Sequence, residues 1–443
     1  MIARIARRSE RSQELLERRH EELADQALEL LGGLRGGAMK LGQLASFLDV
    51  DLVPPEYREL YQERLAGLRD AAPPMSWSKI RSVLEREWEA PLESLFEDFE
   101  QDAAAAASIG QVHRARLPDG RRVAVKVQYP EIADALAADL GTAAGVATVL
   151  TPLGKAMMPG LEPKLLLAEL RELVLEEVDY ELEAQQQRYF ARRYRDHPFA
   201  YVPPVIGDLS RRRVLVSEWV DGAGFDDIRR LPQPERDRIA EILQRFYHGS
   251  IDHVGRFNTD PHPGNYMLLE DGRMAFLDFG SVKTVDPAWL ETSQATIRAA
   301  VERDTEGFME GLEALGYVHR ADRLDAEQLL EQSLDGGDWY LRDHEVRIDP
   351  EYVAAIIGRL ADPRAAESSL RMARGLKIPP EEIWFRRVQI GVLAVAGQLR
   401  ARGNWHRVMR EYVFGDEPST GLGRREWEFF GRGGPAGASK AAT

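Results

Sequence analysis

The sequence predicts an α+β fold of two lobes, a small one that contains strands and a larger helical one. One observation is a strand-turn-strand pattern, in which residues 111–116 and 122–128 alternate in polarity around turn residues at 117–120. Another is an apolar run at 213–220 that stops at an Asp-Gly pair, where a link between the lobes is expected. Beyond that link, apolar residues recur mostly at helical spacing.

Further elements follow from local signals. Ser76 is expected to cap a helix that runs through Trp88, because its side chain can accept a hydrogen bond from an open backbone N–H. Residues 201–206 are predicted as a strand, and 266–277 as a two-stranded ribbon. The predicted segments are a helical extension at 1–75, a smaller lobe with inserted helices at 76–220, a helical lobe at 221–430 and a glycine-rich, disordered tail at 431–443.

Length, charge and composition narrow the class of protein. The 443 residues suffice for two to three domains, and 44% hydrophobic with 30% charged residues are typical of a soluble globular chain. A formal charge of −15 argues against nucleic acid as a partner, because phosphate backbones bind basic surfaces. The absence of cysteine excludes disulfides and thiolate metal sites, and it fits a reducing cytoplasm.

Membrane insertion is not expected. Arginines interrupt the start of the chain, so no signal peptide is predicted, and residues 140–158 contain a proline and a lysine that favour buried helix over a membrane span. Arg4, Arg7, Arg8 and Arg11 share one helical face suited to anionic headgroups. Because nearby glutamates dilute that charge, a solvated helix is favoured, and peripheral contact with the inner face of a membrane is the alternative.

The most informative pattern is Asp260-Pro-His-Pro-Gly-Asn265 followed by Asp278-Phe-Gly280. In a kinase-type active site with this spacing, the first Asp faces the attacking nucleophile, while the Asn and the second Asp hold Mg²⁺ on the nucleotide phosphates. The predicted ribbon places Asn265 and Asp278 at neighbouring strand ends, close enough to share a metal. Two ordinary turns are the structural alternative for this pattern alone.

Val123-Ala-Val-Lys126 places a lysine among apolar neighbours on a predicted strand. Such a lysine can pair with nucleotide phosphates while a helix carboxylate holds it, and a lysine that covers the rim of the sheet is the alternative. The partner acid is expected on the next major helix, where several acids, including Glu183, crowd together. A solvated acidic face is the competing interpretation of that crowding.

The other nucleotide contacts are predicted at an alanine-rich run and at the link. The run stands where a protein kinase has a glycine-rich loop, and a stiffer lid is expected because alanine excludes most positive-φ conformations. A plain strand or helix start is the alternative. Main-chain groups at the link would bind the adenine edge. The predicted ATP-binding residues are Ala103, Ala104, Ala105, Ala106, Ala107, Ser108, Lys126, Glu183, Glu218 and Val220.

Together these signals predict a protein-kinase-like fold that departs from protein kinases in several ways. No Ala-Pro-Glu follows the Asp-Phe-Gly, so a platform for a peptide substrate is missing. Asn258 and Thr259 stand where a His and an Arg would precede the catalytic Asp. The long gap between Lys126 and Glu183 leaves room for inserted helices. Protein kinase activity is therefore not expected.

With Lys40-Leu-Gly-Gln43 upstream, the sequence closely resembles the UbiB/AarF-type atypical kinase-like family over residues 25–300. In that family a Lys-x-Gly-Gln motif lies in an N-terminal helical extension, an Ala-rich loop replaces the Gly-rich one, and a Glu-x-Asp motif lies in an inserted helical region. The last of these corresponds to Glu177 and Asp179, and the resemblance places the glutamate that pairs the lobes at Glu183. Relatives often have His where this chain has Asn258, which makes a role for that side chain doubtful.

The motifs and the resemblance imply ATP or ADP and Mg²⁺ as ligands, with Asp260 and Lys126 as catalytic residues. The resemblance implies a link to isoprenoid-quinone or lipid metabolism, with a prenyl lipid or quinone precursor as ligand. It also implies that the Lys40 and Gln43 segment folds over the cleft and excludes protein substrates. We expect an ATPase or a small-molecule phosphotransferase. The alternatives are a pseudokinase scaffold for a lipid-biosynthetic assembly and a soluble small-metabolite kinase with an open acidic pocket.

Overall fold

The computed structural model describes residues 75–107, 109–130, 178–318, 324–361 and 379–431 of the chain. Several predictions from the sequence concern residues outside these ranges: the helical extension with its arginine face, Lys40, Gln43, Ser108, Glu177 and the C-terminal tail. These predictions are not tested by the fold.

The described elements are numbered in chain order. The helices are α1 (Trp77–Trp88), α2 (Leu92–Leu95), α3 (Tyr180–Arg193), α4 (Phe225–Ile228), α5 (Gln233–Val254), α6 (Pro287–Glu302), α7 (Thr305–Ala314), α8 (Ala326–Gly336), α9 (Asp338–Leu341), α10 (Pro350–Ala361), α11 (Pro380–Leu399), α12 (Trp405–Val413) and α13 (Gly421–Phe430). The strands are β1 (Asp98–Phe99), β2 (Ala105–Ala107), β3 (Gly110–Arg116), β4 (Arg122–Gln128), β5 (Ala200–Tyr201), β6 (Val214–Glu218), β7 (Arg256–Asn258), β8 (Tyr266–Leu268), β9 (Met274–Phe276), β10 (Val282–Thr284), β11 (Val346–Arg347) and β12 (Arg402–Gly403).

The strand-rich lobe is built on an antiparallel sheet in the order β1-β3-β4-β6, with β2 paired to β3. Strand β4 buries Val123, Val125 and Val127, which pack with α1, whereas Lys126 lies on the opposite face. Each buried valine contributes about 1.5–3 kcal/mol of hydrophobic stabilisation. The predicted hairpin at 111–128 is therefore confirmed, and the period of two places the lysine away from the core.

Two local predictions at the edge of this lobe need correction or refinement. Ser76 does precede α1, but its side chain makes no capping hydrogen bond. The Ala-rich run is not a free loop, because Ala105–Ala107 form β2 and pair with β3. At the tight return of that hairpin, a Cβ on Gly110 would lie 2.1 Å from the carbonyl oxygen of Val127. Only glycine allows the two backbones to approach this closely.

The helical lobe contains more strand than the sequence predicted. The ribbon of β8 and β9 is confirmed, and β9 also pairs in parallel with β5. The predicted strand at 201–206 was wrong for most of its length, because Pro203 and Pro204 lack the N–H that a ladder requires. Two short pairs, β7 with β10 and β11 with β12, were not predicted.

Helix α3 connects the two lobes. Its first turns place Tyr180 and Ala184 against Leu215 of the strand-rich sheet. Its later turns place Phe190 in the large core of the helical lobe, where its ring centroid lies 5.0 Å from that of Phe279. Glu183 lies between Tyr180 and Ala184 in the first turns, so the helix holds that carboxylate at the boundary of the lobes.

The link after β6 is fixed to the ribbon. Ala223 N donates to the carbonyl oxygen of Leu268 at 2.8 Å, and Leu268 N donates back at 2.9 Å. A Cβ on Gly222 would lie 2.8 Å from the same carbonyl oxygen, so the crossing requires glycine. Among the helices in the described ranges, none is long and apolar enough to span a bilayer.

Candidate active site

Lys126 joins the two lobes through a cluster of ions. Its Nζ lies 2.9 and 3.0 Å from the two carboxylate oxygens of Glu183 and 3.0 Å from Oδ2 of Asp278. The Glu183 side chain is 1% exposed, whereas that of Asp278 is 31% exposed. The structure thus brings three residues together that the sequence places far apart, and one carboxylate of the cluster faces solvent.

The electrostatics of this cluster favour a bound cation. Burial opposes a charge on Lys126, but Asp278 and Glu183 together raise the pKa of this lysine well above its ordinary value. Burial raises the pKa of Glu183 to about 7, an effect that Lys126 opposes and Asp278 reinforces. Once Glu183 is ionised, two acids face one ammonium, and the cluster carries an excess of negative charge. A divalent cation beside Asp278 would neutralise that excess.

The Asp-Phe-Gly turn fixes the orientation of Asp278. Its Oδ1 accepts a hydrogen bond from Gly280 N at 3.0 Å, which leaves Oδ2 to Lys126. Phe279 is fully buried and anchors the turn in the core of the helical lobe. The hydrogen bond from Gly280 N and the buried ring of Phe279 both hold the turn, so the Asp278 carboxylate has a defined orientation at the site.

Asp260 and Asn265 form the second part of the site. Asn265 Nδ2 donates to Asp260 Oδ2 at 2.9 Å and to the Asp260 carbonyl at 3.2 Å. Leu277 N donates to the carbonyl of Asn265 at 2.8 Å, so the Asn lies next to the strand that leads to Asp278. The predicted proximity of Asn265 and Asp278 is thereby supported. Because Asn265 Nδ2 donates to Asp260, the side-chain oxygen Oδ1 is the atom of this amide that can serve as a metal ligand.

The donor set fits Mg²⁺ rather than a metal held wholly by protein. One carboxylate and one amide oxygen are hard ligands, and Mg²⁺ in nucleotide sites typically takes one or two protein oxygens and completes its shell with phosphates and water. Asn265 and Asp278 therefore suit a cation that arrives together with a nucleotide.

Asn258 has a role that sequence reasoning doubted. Its Nδ2 donates to the carbonyl of Asp278 at 2.6 Å, and its Oδ1 accepts from Asp260 N at 2.8 Å. The side chain is buried, and an amide can donate and accept at once. Asn258 therefore ties the loop of Asp260 to the Asp-Phe-Gly turn. Its position two residues before Asp260 was the available signal.

Arg387 is a site residue that the sequence did not reveal. Its Nη2 lies 3.3 Å from Oδ1 of Asp260, and its side chain is only 13% exposed. The residue belongs to α11, in the last part of the chain, where no motif was recognised. The one signal for this residue in the sequence was an arginine among apolar residues on the same face of a helix.

The predicted adenine contacts lie at the end of β6. Glu218 N donates to the carbonyl of Pro204 at 2.9 Å, and the side chain of Glu218 accepts from Tyr201 OH at 2.9 Å. A contribution of Glu218 to adenine binding would therefore come from its main-chain carbonyl. Val220 follows in the link that Ala223 fixes to β8.

Asp179, predicted as part of a gate, is the N-cap of α3. Its Oδ1 accepts from the backbone N of Glu181 at 3.0 Å and of Leu182 at 3.1 Å. Such a cap typically contributes about 1 kcal/mol to a helix. Because α3 carries Glu183, this cap also steadies the partner of Lys126.

A separate cavity of about 440 Å³ lies between the first turns of α5, α12 and α13. It is lined by Asp237, Glu241, Trp405 and Thr420, among others, and contains none of the predicted site residues. The candidate active site is instead identified by the contacts of Lys126, Asp278 and Asp260 at the boundary of the lobes.

The fold and the site define a kinase-like protein, and comparison with known proteins places it in a family. A sequence model of the ABC1 atypical kinase-like domain matches residues 67–312, more than half of the chain. The chain belongs to the ABC1 atypical kinase-like family, to which the UbiB-type proteins also belong. The predicted family and the kinase-like fold class are confirmed.

Curated relatives come from distant organisms. The chain is 29% identical over 408 residues to an atypical kinase of Caenorhabditis elegans, coq-8, which is described as mitochondrial. The match covers 90% of this chain and 52% of that protein. The chain is 34% identical over 295 residues to Protein ACTIVITY OF BC1 COMPLEX KINASE 1 of Arabidopsis thaliana, which is described as chloroplastic. That match covers 65% of this chain and 41% of the Arabidopsis protein. The chain thus spans about half the length of these relatives.

A solved structure is similar over nearly the whole chain. The complex of Rv3197 with erythromycin from Mycobacterium tuberculosis has a TM-score of 0.62 and 32% sequence identity, and the match covers 91% of this chain and 97% of that chain. Because it covers 91% of this chain, the likeness extends beyond residues 67–312.

Proposed function

We propose that the protein binds Mg²⁺-ATP and acts as an ATPase or a small-molecule or lipid phosphotransferase. The observation that carries this proposal is the joint contact of Lys126 with Glu183 and Asp278. A lysine held by a helix carboxylate beside a metal-binding Asp is the arrangement that kinases use for nucleotide phosphates. Protein kinase activity is not part of the proposal, because the chain lacks the Ala-Pro-Glu segment.

Each residue has a role in this proposal. Lys126 pairs with nucleotide phosphates below the Ala103–Ala107 segment, and Glu218 and Val220 receive the adenine edge through main-chain groups. Asn265 and Asp278 hold Mg²⁺, which would screen the phosphate charge when bound. The support for these roles is the agreement between motif order and the contacts of the cleft.

Asp260 is the proposed base. An acceptor hydroxyl gives its proton to the Asp260 carboxylate, its oxygen bonds to the γ-phosphorus, the bond from that phosphorus to the β–γ bridging oxygen breaks, and ADP leaves. If water is the acceptor, the products are ADP and phosphate. Asp260 is 32% exposed, which leaves room for an acceptor to approach.

The acceptor and the gate are proposed from the family resemblance. A prenyl lipid or quinone precursor is the proposed acceptor or activator, and Lys40, Gln43, Glu177 and Asp179 are the proposed gate against protein substrates. The relative from Mycobacterium tuberculosis was solved with erythromycin, so this macrolide is a reasonable further ligand to test.

ADP release from Mg²⁺-ATP tests the proposal. The purified full chain is assayed alone, with liposomes that contain polyprenyl lipid, with phenolic quinone-headgroup mimics and with erythromycin. We expect turnover that at least one of these compounds stimulates and that Asp278→Asn and Lys126→Ala each lower about a hundredfold or more. Asp271→Asn is the matched control, because this exposed carboxylate pairs with Arg273 rather than with Lys126, and the substitution should leave turnover unchanged.

Binding is measured separately from turnover. Thermal stabilisation by Mg²⁺-nucleotide, lost in Lys126→Ala, reports binding alone. Stabilisation without ADP release under any condition would favour the pseudokinase scaffold. If neither stabilisation nor turnover occurs, the assignment of the cleft as a nucleotide site is wrong.

A further inference from the structure

Helix α11 lies directly against the loop that contains Asp260. The ring of Phe385 stacks on that of Phe257, one residue before Asn258, with centroids 4.6 Å apart. A Cβ on Gly391 would lie 2.3 Å from Cγ of Pro261, so α11 and the loop approach as closely as glycine permits. Two separate contacts along the helix therefore fix its position relative to the loop.

Arg387 lies between these two contacts and reaches the carboxylate of Asp260. Its Nη2 donates to Oδ1 at 3.3 Å, while Oδ2 accepts a hydrogen bond from Asn265 Nδ2 at 2.9 Å. The two oxygens of Asp260 thus have different partners, one from α11 and one from the loop itself. A carboxylate held at both oxygens cannot rotate freely, and charge-assisted contacts of this kind are stronger than neutral ones.

We infer that Arg387 is a positioning residue that fixes the Asp260 carboxylate and, through it, the side chain of Asn265. This inference rests on the proposed function. If the Asp260 carboxylate rotated, the amide nitrogen of Asn265 would lose the shorter of its two hydrogen bonds and keep only the one to the Asp260 carbonyl at 3.2 Å, so its side-chain oxygen would be less firmly directed to a cation. Arg387 lies beyond residues 67–312, so the C-terminal helices supply a residue that the kinase-like domain alone lacks.

The test compares Arg387→Met with Arg387→Lys and with the matched control Arg386→Met. Arg386 is the neighbouring arginine on α11, but it pairs with Glu382 at 2.9 Å and not with Asp260. For Arg387→Met we expect kcat to fall about 30–100-fold, with KM for ATP within about threefold, because misplacing a reacting group costs about this much. The kcat of Arg387→Lys should be at least about tenfold higher than that of Arg387→Met. The kcat of Arg386→Met should stay within about twofold of that of the unmodified protein.

A second variant displaces α11 without removing the charge. Gly391→Ala introduces a methyl group against Pro261, so it should lower kcat in the same way as Arg387→Met while leaving Arg387 intact. Unchanged kcat in Arg387→Met, or an equal loss in Arg386→Met, would overturn the inference. So would failure of Arg387→Lys to recover activity, since a positioning cation must be partly replaceable by another.

Hydrogen–deuterium exchange separates this inference from the proposed function. Without nucleotide, Arg387→Met should raise amide exchange in residues 258–266, where Asp260 N bonds to Asn258 Oδ1, and Arg386→Met should not. If the unmodified protein shows no turnover, the proposed function fails, but the exchange comparison still decides whether Arg387 holds the loop. Equal exchange in both variants would contradict the inference even if turnover is present.

Discussion

Arg245 on α5 and Lys126 on β4 each face more carboxylates than one cation can neutralise, yet one cluster is closed and the other is open. The Arg245 side chain is 1% exposed, and its three acidic partners are at most 16% exposed. Asp278, one of the two acids at Lys126, is 31% exposed. The open cluster presents one of its carboxylates to solvent, where a ligand can approach it, whereas the closed cluster does not.

The closed cluster is completed by protein groups. Glu241, Glu411 and Glu426 contact the guanidinium of Arg245 at 2.8, 2.8 and 2.9 Å. Tyr412 OH donates to Glu426 at 2.6 Å, which satisfies one of the surplus acids. The cluster ties α12 and α13 to α5, so an excess of acid can also serve structure when hydrogen bonds and burial compensate for it. An acid-rich cluster therefore indicates a ligand site only where it faces solvent.

Arg245→Met should have the largest effect on stability. It leaves three acids in a buried position without a cation, so the free energy of unfolding should fall by about 3–5 kcal/mol. Urea denaturation measures this loss, and the nucleotide site should still bind if the protein is folded. Arg238→Met, on the same helix, removes a partly exposed pair with Glu235 and should cost under about 1 kcal/mol. Equal losses in the two variants would contradict the distinction between closed and open pairs.

Asp278→Asn should affect catalysis rather than stability. Turnover should fall about 10²–10³-fold, because the carboxylate that would hold the metal is lost. The free energy of unfolding without nucleotide should change by under about 1 kcal/mol, since the variant also removes a surplus negative charge. ADP release and denaturation of the same preparation measure both. A stability loss as large as that of Arg245→Met would show that Asp278 is structural.

Glu426→Gln should flatten the dependence of stability on pH. Burial raises the pKa of Glu426 to about 7 from an ordinary value of 4.5, against the opposing effect of Arg245. Because the folded state keeps the proton to higher pH than the unfolded chain, this stabilisation is present below about pH 4.5 and is lost as pH rises to about 7. Between pH 5 and 7.5 the unmodified protein should lose about 2–2.5 kcal/mol more than the variant. Parallel curves would be inconsistent with this prediction.

Arg122→Ala should have the smallest effect. Its Nη2 lies 2.5 Å from Oδ2 of Asp221, and the two side chains are 50% and 59% exposed. Solvent screens such a pair, so its removal should lower the free energy of unfolding by under about 0.5 kcal/mol. A loss above about 1 kcal/mol would show that this contact between β4 and the link matters as much as a buried pair.

Much of the candidate site was predictable from sequence. The alternation of valine with Ala124 and Lys126 placed the lysine on the face opposite the core, and the ribbon brought Asn265 near Asp278. Local signals succeeded there because hairpins and periodicity depend on neighbours in the chain. They failed at 201–206, where two prolines outweighed the apolar pattern, and at β7, which pairs with a strand beyond the Asp-Phe-Gly turn.

From the amino-acid sequence alone follow the order of the motifs, the family they indicate and the face of β4 that carries Lys126. The fold sets which acid meets that lysine, that Asn258 joins two loops, and that Arg387 reaches Asp260. These contacts join segments that are distant in the chain, and they depend on how α3 and α11 pack against the helical lobe. Local periodicity shows which face of a helix is apolar, but it does not show which distant residue that face will meet.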